Sequence, residues 1–155
     1  MNAVTLTLPY PLSANRYWRS FLPKGHQRAI VTLSDEAKAY KTRVAWMAKA
    51  AGVRAPIDGR VEFHVKLYPA RPQDWQSRQR KHGAAWDDTV RCIDLDNANK
   101  VLLDALKGVA IVDDAWVRRI VAERMEPDAG DARVVVTITA LANEQPQADL
   151  LGALA

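Results

Sequence analysis

Cysteine is almost absent from the 155-residue sequence, in which Cys92 stands alone. A single cysteine excludes an internal disulfide and a cysteine-rich zinc site. No apolar run approaches the roughly 20 residues that a membrane-spanning helix needs. The first residues lack both the positive region and the continuous apolar region of a secretory signal peptide. These features predict a cytoplasmic protein in a reducing compartment, with no membrane partner.

Other absences narrow the chemistry. The sequence has no glycine-rich loop of the kind that cradles phosphates, and no serine or cysteine in the context of a catalytic triad. The three histidines, His26, His64 and His82, are not spaced as metal ligands. The sequence therefore predicts no small-molecule cofactor.

The composition is that of a globular protein with a modest positive charge. Apolar residues make up 48% of the sequence and charged residues 26%, which excludes a wholly disordered chain. Lysine and arginine outnumber acidic residues by 22 to 18. Basic residues concentrate over 16–54 and again over 71–91, whereas carboxylates are dense over 87–114. This division suits a protein that holds a polyanion with one set of residues and a metal ion with the other.

Hydrophobic periodicity predicts the secondary structure. Alternating or β-branched residues predict four strands, over 4–8, 61–68, 117–125 and 133–141. Helical spacing predicts one helix with Ser34 as its N-cap and Gly52 at its end, and a second helix over 96–107. Residues 9–33 are predicted to form a long loop, and residues 69–91 a polar, basic insertion.

This order of elements predicts an α+β fold in a single domain. We expect a small mixed β-sheet with helices packed on one face. The domain is expected to occupy residues 1–141, and residues 142–155 are expected to form a disordered C-terminal tail.

One short segment gathers the residues with the most specific chemistry. Asp94 and Asp96 are two positions apart, so in an extended chain both carboxylates lie on one side, roughly 6–7 Å apart. Lys100 follows Asp96 by four residues and shares its helical face. Asp113 and Asp114 follow an apolar run that can return a further carboxylate to the same space. Oxygen ligands at this spacing predict a site for one or two Mg²⁺ ions beside a cation.

A purely structural interpretation of the same residues remains open from spacing alone. Asp96 suits the N-cap of its own helix, and the pair Asp113–Asp114 suits a turn. Asp104 lies four residues after Lys100 and can form an ordinary salt bridge with it.

Three tryptophans also allow more than one interpretation. Trp46 projects away from the apolar face of the first helix, where it suits a dimer contact, a DNA contact or partial cover by a loop. Trp75 and Trp86 lie in the basic insertion and suit either stacking on unpaired bases or packing of the insertion against the domain.

Several short motifs follow one another along the chain, namely Leu8-Pro9-Tyr10-Pro11, Ser13-Ala14-Asn15-Arg16-Tyr17, Asp94-Leu95-Asp96-Asn97, Lys100, Asp104-Ala105-Leu106 and Val112-Asp113-Asp114. This ordered set resembles the RusA family of Holliday junction resolvases, which bacteria and their prophages encode. Together the motifs extend over most of the chain, from about residue 4 to residue 141.

The resemblance implies a Mg²⁺-dependent endonuclease, with Mn²⁺ as a possible substitute, that acts as a homodimer and nicks four-way DNA junctions symmetrically. It implies that Asp94, Asp96 and Asp114 are the catalytic metal ligands and that Lys100 is needed for cleavage. A C2 dimer suits this task, because two strands must be cut.

The basic residues depart from the family pattern. The family commonly has a tight basic cluster directly before the first aspartate, whereas here Ile93 and Cys92 separate Arg91 from Asp94. The DNA-binding residues are therefore predicted to be scattered, and the candidates are Arg16, Arg71, Arg78, Arg80, Lys81 and Arg91. Two alternatives to a resolvase stay open, a less selective nuclease for flaps or forks and a non-catalytic phage protein that binds branched DNA.

Overall fold

The computed structural model describes residues 3–143, so the predicted tail lies almost entirely outside the described residues. In chain order the elements are β1 (Ala3–Pro9), α1 (Ala14–Tyr17), β2 (Trp18–Phe21), β3 (Ile30–Leu33), α2 (Asp35–Ala50), β4 (Val61–Tyr68), α3 (Trp75–His82), α4 (Leu95–Leu106), β5 (Val117–Arg124) and β6 (Arg133–Ala140). Short 3-10 helices cover Gly83–Thr89 and Asp114–Trp116. Over the described range, every helix is too short or too polar to cross a bilayer.

Four strands form a mixed sheet in the order β1-β6-β4-β5. β6 pairs antiparallel with both β1 and β4, whereas β5 pairs parallel with β4 and lies at the edge. Alternate residues of β4 and β6 are buried, because successive side chains of a strand point to opposite faces. One face of the sheet thus supplies the core.

The helices α2 and α4 contact each other and the sheet, as the α+β prediction required. Ser34 caps α2, because its Oγ accepts a hydrogen bond from the Ala37 N–H at 3.1 Å. The apolar side predicted for α4 is fully buried and consists of Ala98, Val101, Leu102, Ala105 and Leu106. The predicted strands and both predicted helices are therefore confirmed to within one or two residues.

The prediction that residues 9–33 form a loop is wrong. The segment contains α1 and a two-stranded antiparallel sheet in which Trp18 pairs with Leu33 and Phe21 pairs with Ile30. Each strand has only four residues, and Phe21 and Ile30 are exposed, so the period-2 signal is short and carries no buried face.

The insertion over 69–91 is folded, which its polar sequence did not predict. It contains α3 and the 3-10 helix that follows. Arg124 of β5 holds this 3-10 helix in place, donating hydrogen bonds to the carbonyl oxygens of Asp87 and Val90 at 2.7 and 2.6 Å. The Trp86 indole N–H donates to Glu126 Oε1 at 2.8 Å. These bonds fix the insertion beside the start of α4.

Candidate active site

The N-terminal end of α4 carries two carboxylates that no side chain of the described residues neutralises. Asp94 is the N-cap residue of α4, yet its side chain makes no capping hydrogen bond. Asp96 lies in the first turn. Both side chains are exposed, and neither takes part in an ion pair within residues 3–143. The helix dipole favours negative charge at this end of α4.

This geometry corrects two details of the sequence interpretation. Asp94 has extended backbone angles but Asp96 is helical, so the segment is not one extended strand with both carboxylates on one side. The N-cap of α4 is Asp94, two residues earlier than the alternative that assigned it to Asp96.

A cleft of about 960 Å³ opens beside Asp94. Its walls come from the loop after β1, from the insertion and from the start of α4. Asp94 and Asn97 lie on the α4 side, and Arg16, Arg78 and Arg91 contribute cationic side chains. A cleft with cations along its walls and carboxylates at one end suits an anionic chain that must meet a metal ion.

Tyr10 fixes the backbone immediately before Asp94. Its hydroxyl oxygen accepts a hydrogen bond from the Ile93 N–H at 2.7 Å and lies 3.6 Å from Cys92 Sγ. Burial raises the pKa of Tyr10 to about 12, so the phenol stays neutral. Tyr40 of α2 holds the same loop from the other side by donating to the Pro9 carbonyl at 2.8 Å. Tyr10 therefore fixes the position of Asp94, whereas Tyr40 supports the loop that carries Tyr10, and the sequence interpretation assigned neither role.

Asp104 forms no salt bridge with Lys100, so the structural interpretation that paired these two residues is wrong. Its carboxylate accepts a 2.5 Å hydrogen bond from the Tyr17 hydroxyl and lies 3.6 Å from Lys41 Nζ. Burial raises the pKa of Tyr17, and the hydrogen bond to Asp104 raises it further. Lys100 is exposed and forms no ion pair with any residue of the described range. Its ammonium group remains available one turn after Asp96.

The pair Asp113–Asp114 lies at the opposite end of α4. Lys107, the C-cap residue of α4, lies 3.0 Å from Asp113 and 3.5 Å from Asp114. Asp113 also accepts the Ala115 N–H at 2.9 Å. This backbone hydrogen bond, with Lys107, lowers the pKa of Asp113 to about 2. Asp113 is thus a capping residue of a 3-10 helix, in line with the structural alternative.

The length of α4 separates the predicted ligands within one chain. The helix has 12 residues, which corresponds to roughly 18 Å between its ends. Asp114 beside Lys107 and Asp94 at the start therefore do not converge on one ion. Across residues 3–143, no group of three or more histidine, cysteine, aspartate or glutamate side chains is placed to hold a metal ion. The structure brings Asp94, Asp96 and Lys100 to one end of α4 and leaves Asp114 at the other.

The residues at the N-terminal end still fit a divalent metal ion. Mg²⁺ takes oxygen ligands, keeps several waters and is commonly held by one or two carboxylates together with substrate phosphates. Asp94 and Asp96 supply two exposed carboxylates without competing cations, at the edge of a cleft that a phosphate can enter.

Comparison with known proteins assigns the chain to a family. The family model for endodeoxyribonuclease RusA matches residues 9–139. The chain belongs to the RusA endodeoxyribonuclease family. Crossover junction endodeoxyribonucleases RusA of Escherichia coli (strain K12), Shigella sonnei (strain Ss046) and Enterobacteria phage 82 are each 32% identical to it over 149 residues. These alignments cover 93% of this chain and the full length of each relative.

The six predicted DNA-binding residues of this RusA-family chain fall into two groups. Arg16, Arg78 and Arg91 line the cleft, but Arg78 is held by Asp74 and by the Thr89 carbonyl at 2.9 and 2.8 Å. Arg16 is paired with Glu36. The other three lie on the insertion away from the cleft lining, and they are Arg71, Arg80 and Lys81. Arg91 is thus the exposed cation of the cleft that pairs with no carboxylate in the described range.

The two tryptophans of the insertion have different surroundings. Trp86 is buried at 3% exposure and bonded to Glu126, so it packs the insertion against the domain. Trp75 is half-buried, and the Arg71 guanidinium lies 4.4 Å from its ring centroid.

Trp46 is 68% exposed, which confirms that it projects away from the core.

Proposed function

We propose that this RusA-family endonuclease is a metal-dependent enzyme that resolves Holliday junctions by paired symmetric nicks in DNA recombination and repair. Mg²⁺ is the proposed metal, with Mn²⁺ as a substitute. The observation that carries the proposal is the pair of unneutralised carboxylates at the start of α4: Asp94 lines a cleft with arginines on its walls, and Asp96 lies in the first turn of the helix. A module that only binds DNA gains nothing from acids beside the phosphates, because like charges weaken binding.

The chain's own residues divide the work of cleavage. Arg91 and Arg16 attract the phosphodiester backbone into the cleft, and Asp94 and Asp96 would hold the metal ion. When bound, the metal lowers the pKa of a coordinated water and offsets charge on the phosphate. Lys100 lies one helical turn after Asp96, where its ammonium group can stabilise negative charge that develops on the scissile phosphate.

A homodimer is part of the proposal. Exposed Val112, Trp116 and Ile120 lie on or next to β5, the edge strand, whose outer backbone groups are free to pair. Asp114 lies within this patch. A second copy that docks here can bring its own Asp114 towards a site from which the first chain's Asp114 is separated by the length of α4. Two copies also supply the two nicks.

Substrate and setting follow from the same comparison. The relatives are named crossover junction enzymes of bacteria and a phage. We infer that the substrate is a four-way DNA junction and that the chain acts on DNA in the bacterial cytoplasm.

The decisive experiment is a nicking assay on a synthetic four-way junction with matched three-way, flap and linear duplex substrates. We expect cleavage that requires Mg²⁺ or Mn²⁺, is fastest on the four-way junction and leaves paired nicks of opposite strands. Equal rates on flaps and junctions would instead assign a less selective nuclease. Salt-sensitive DNA binding without nicking at any metal concentration would identify a non-catalytic binding protein.

A further inference from the structure

The two-stranded sheet that β2 and β3 form is an arm that projects from the domain. We define the arm as residues 18–33. Of the eight large apolar side chains that are exposed in the described residues, four belong to it, namely Phe21, Leu22, Ile30 and Val31. Phe21 pairs with Ile30, so these two lie on one face, whereas Val31 pairs with Ser20 and lies on the other. Exposure of apolar residues on both faces shows that the outer half of the arm is only partly covered by the described chain.

The charge of the arm has one sign. Residues 18–34 contain Arg19, Lys24 and Arg28 together with His26, and no aspartate or glutamate. The three cations are exposed and pair with no carboxylate within residues 3–143. Lys24 and Gly25 form the centre of a turn, in which the His26 N–H bonds to the Pro23 carbonyl at 3.0 Å and Gly25 has φ of +85°. A positive φ at this position suits a type II turn, which presents Lys24 at the tip.

The base of the arm is fixed at the edge of the cleft. The Ser34 N–H donates to the Tyr17 carbonyl at 2.9 Å, and the Ser34 hydroxyl donates to the Arg16 carbonyl at 2.6 Å. Arg16 itself lines the cleft. Tyr17 is fully buried, and its ring meets the Trp18 ring edge-on at 4.6 Å. The arm therefore has a fixed base beside the cleft and an apolar, cationic tip. This arrangement suits contact with a ligand that is bound in the cleft.

We propose that the arm contacts branched DNA at the branch point. Lys24, Arg28 and Arg19 bind backbone phosphates of the duplex arms, and the apolar residues near the tip pack against base-pair faces that open where the strands exchange. Apolar side chains that contact open base steps are a recognised means of holding distorted DNA. Charge complementarity favours this occupant over a second copy of the arm, since two arms that each carry three cations repel one another. The inference rests on the proposed function, because it assumes that the cleft holds junction DNA.

The test measures binding by the whole chain with Asp94→Asn, which is used so that the DNA stays intact. The charge variant is Lys24→Gln/Arg28→Gln, and its matched control is Lys38→Gln/Arg43→Gln, which removes one lysine and one arginine from the exposed side of α2. We expect the slope of log Kd against log salt to fall by about 2 in the arm variant, near 0.9 for each lost phosphate contact, and by less than about 0.5 in the control.

A second variant, Phe21→Ser/Ile30→Ser, tests the apolar contact. We expect its affinity for a four-way junction to fall about tenfold, while its affinity for a linear duplex of the same sequence stays within about twofold. Replacement of residues 22–29 by Asn-Gly, a two-residue turn that preserves the strands, removes Lys24 and Arg28 but keeps Phe21 and Ile30, so it should reproduce the smaller salt slope of the charge variant. Unchanged melting temperatures would establish that the variants are folded.

Several results would overturn the arm assignment. If the arm variants bind junctions and duplexes as the control does, the arm has no role in DNA binding. The proposed function still stands in that case, provided that the wild-type chain nicks junctions. A fall in sedimentation coefficient caused by the arm variants alone would assign the arm to contact between copies. A wild-type chain that neither binds nor nicks junctions would refute the proposed function itself, and the arm inference with it.

Discussion

The two ends of α4 carry acids in opposite electrostatic settings. At the N-terminal end, Asp94 lines the cleft and Asp96 lies in the first turn of the helix, and both are exposed and form no ion pair within the described residues. At the C-terminal end, Asp113 and Asp114 are both within 3.5 Å of Lys107 Nζ. Acids without a partner are free to bind a metal ion, whereas acids beside a lysine are already neutralised in part. This difference supports the proposal that the metal ion binds at the N-terminal end.

The largest effect is expected from Asp94→Asn. Loss of this carboxylate removes a proposed metal ligand, and a metal ion contributes several kcal/mol to stabilisation of the transition state, so nicking should fall roughly 1000-fold. Junction affinity should change by less than about threefold, because the arginines of the cleft remain. Single-turnover nicking and gel-shift titration on one four-way junction measure the two quantities. Undiminished cleavage would refute the metal-site assignment.

The second prediction asks which acid of the C-terminal end takes part in cleavage. We expect Asp114→Asn to lower nicking about 100-fold and Asp113→Asn less than about fivefold, because Asp113 is engaged as a cap by the Ala115 N–H. Mixing the inactive Asp94→Asn and Asp114→Asn variants then tests where Asp114 acts. If it acts across the dimer, mixed dimers contain one intact site and nick one strand.

The mixing experiment has two outcomes, which distinguish an Asp114 that acts across the dimer from one that acts within its own chain. Recovery of single nicks in proportion to the mixed dimers supports a shared site. No recovery, although the subunits exchange, would mean that Asp114 acts within its own chain and that the segment after α4 must move Asp114 towards the start of the helix.

The difference between the ends of α4 also marks the limit of prediction from sequence. The helix itself was predictable, because five buried residues recur at helical spacing and Gly108 follows with φ of +76°. The position of Asp114 was not. It depends on the return of the chain after Lys107, where buried Ile111 bridges to Ile57, about 50 residues earlier in the sequence. Such a long-range contact has no local signal.

The same reasoning explains why the two tyrosines that hold the backbone near the site were missed. The roles of Tyr10 and Tyr40 arise from hydrogen bonds to Ile93 and Pro9, each far away in sequence. Their spacing carries no pattern, whereas Asp94, Asp96 and Lys100 form a local motif that a sequence can display.

The third prediction concerns the support of the N-terminal end. Tyr10→Phe removes the oxygen that accepts the Ile93 N–H, so the backbone before Asp94 loses its anchor. We expect kcat to fall about tenfold and the free energy of unfolding to fall by about 1–3 kcal/mol, the cost of an unpaired buried group. Tyr40→Phe is the matched control, since it removes a tyrosine hydroxyl bond to the same loop at Pro9.

The control separates positioning from stability. Tyr40→Phe should lower the melting temperature without a comparable loss of kcat. If both variants lose activity only in proportion to their lost stability, Tyr10 has no positioning role. A lower apparent affinity for Mg²⁺ in Tyr10→Phe alone would strengthen the assignment.

The smallest effect is expected from acid titration of the C-terminal end. The Ala115 N–H and Lys107 lower the pKa of Asp113 to about 2, whereas the pKa of an unfolded aspartate is about 3.9. A folded pKa below the unfolded one means that ionised Asp113 stabilises the fold above about pH 4, and that this contribution disappears as the pH falls from about 4 to 2. Asp113 is exposed, so Asp113→Asn should lower the melting temperature by less than about 4 °C at pH 7. The difference from wild type should vanish near pH 2, and Lys107→Gln should narrow it at neutral pH. A difference that persists unchanged at pH 2 would show that Asp113 contributes through its shape and hydrogen bond, and that Lys107 does not neutralise this end of α4.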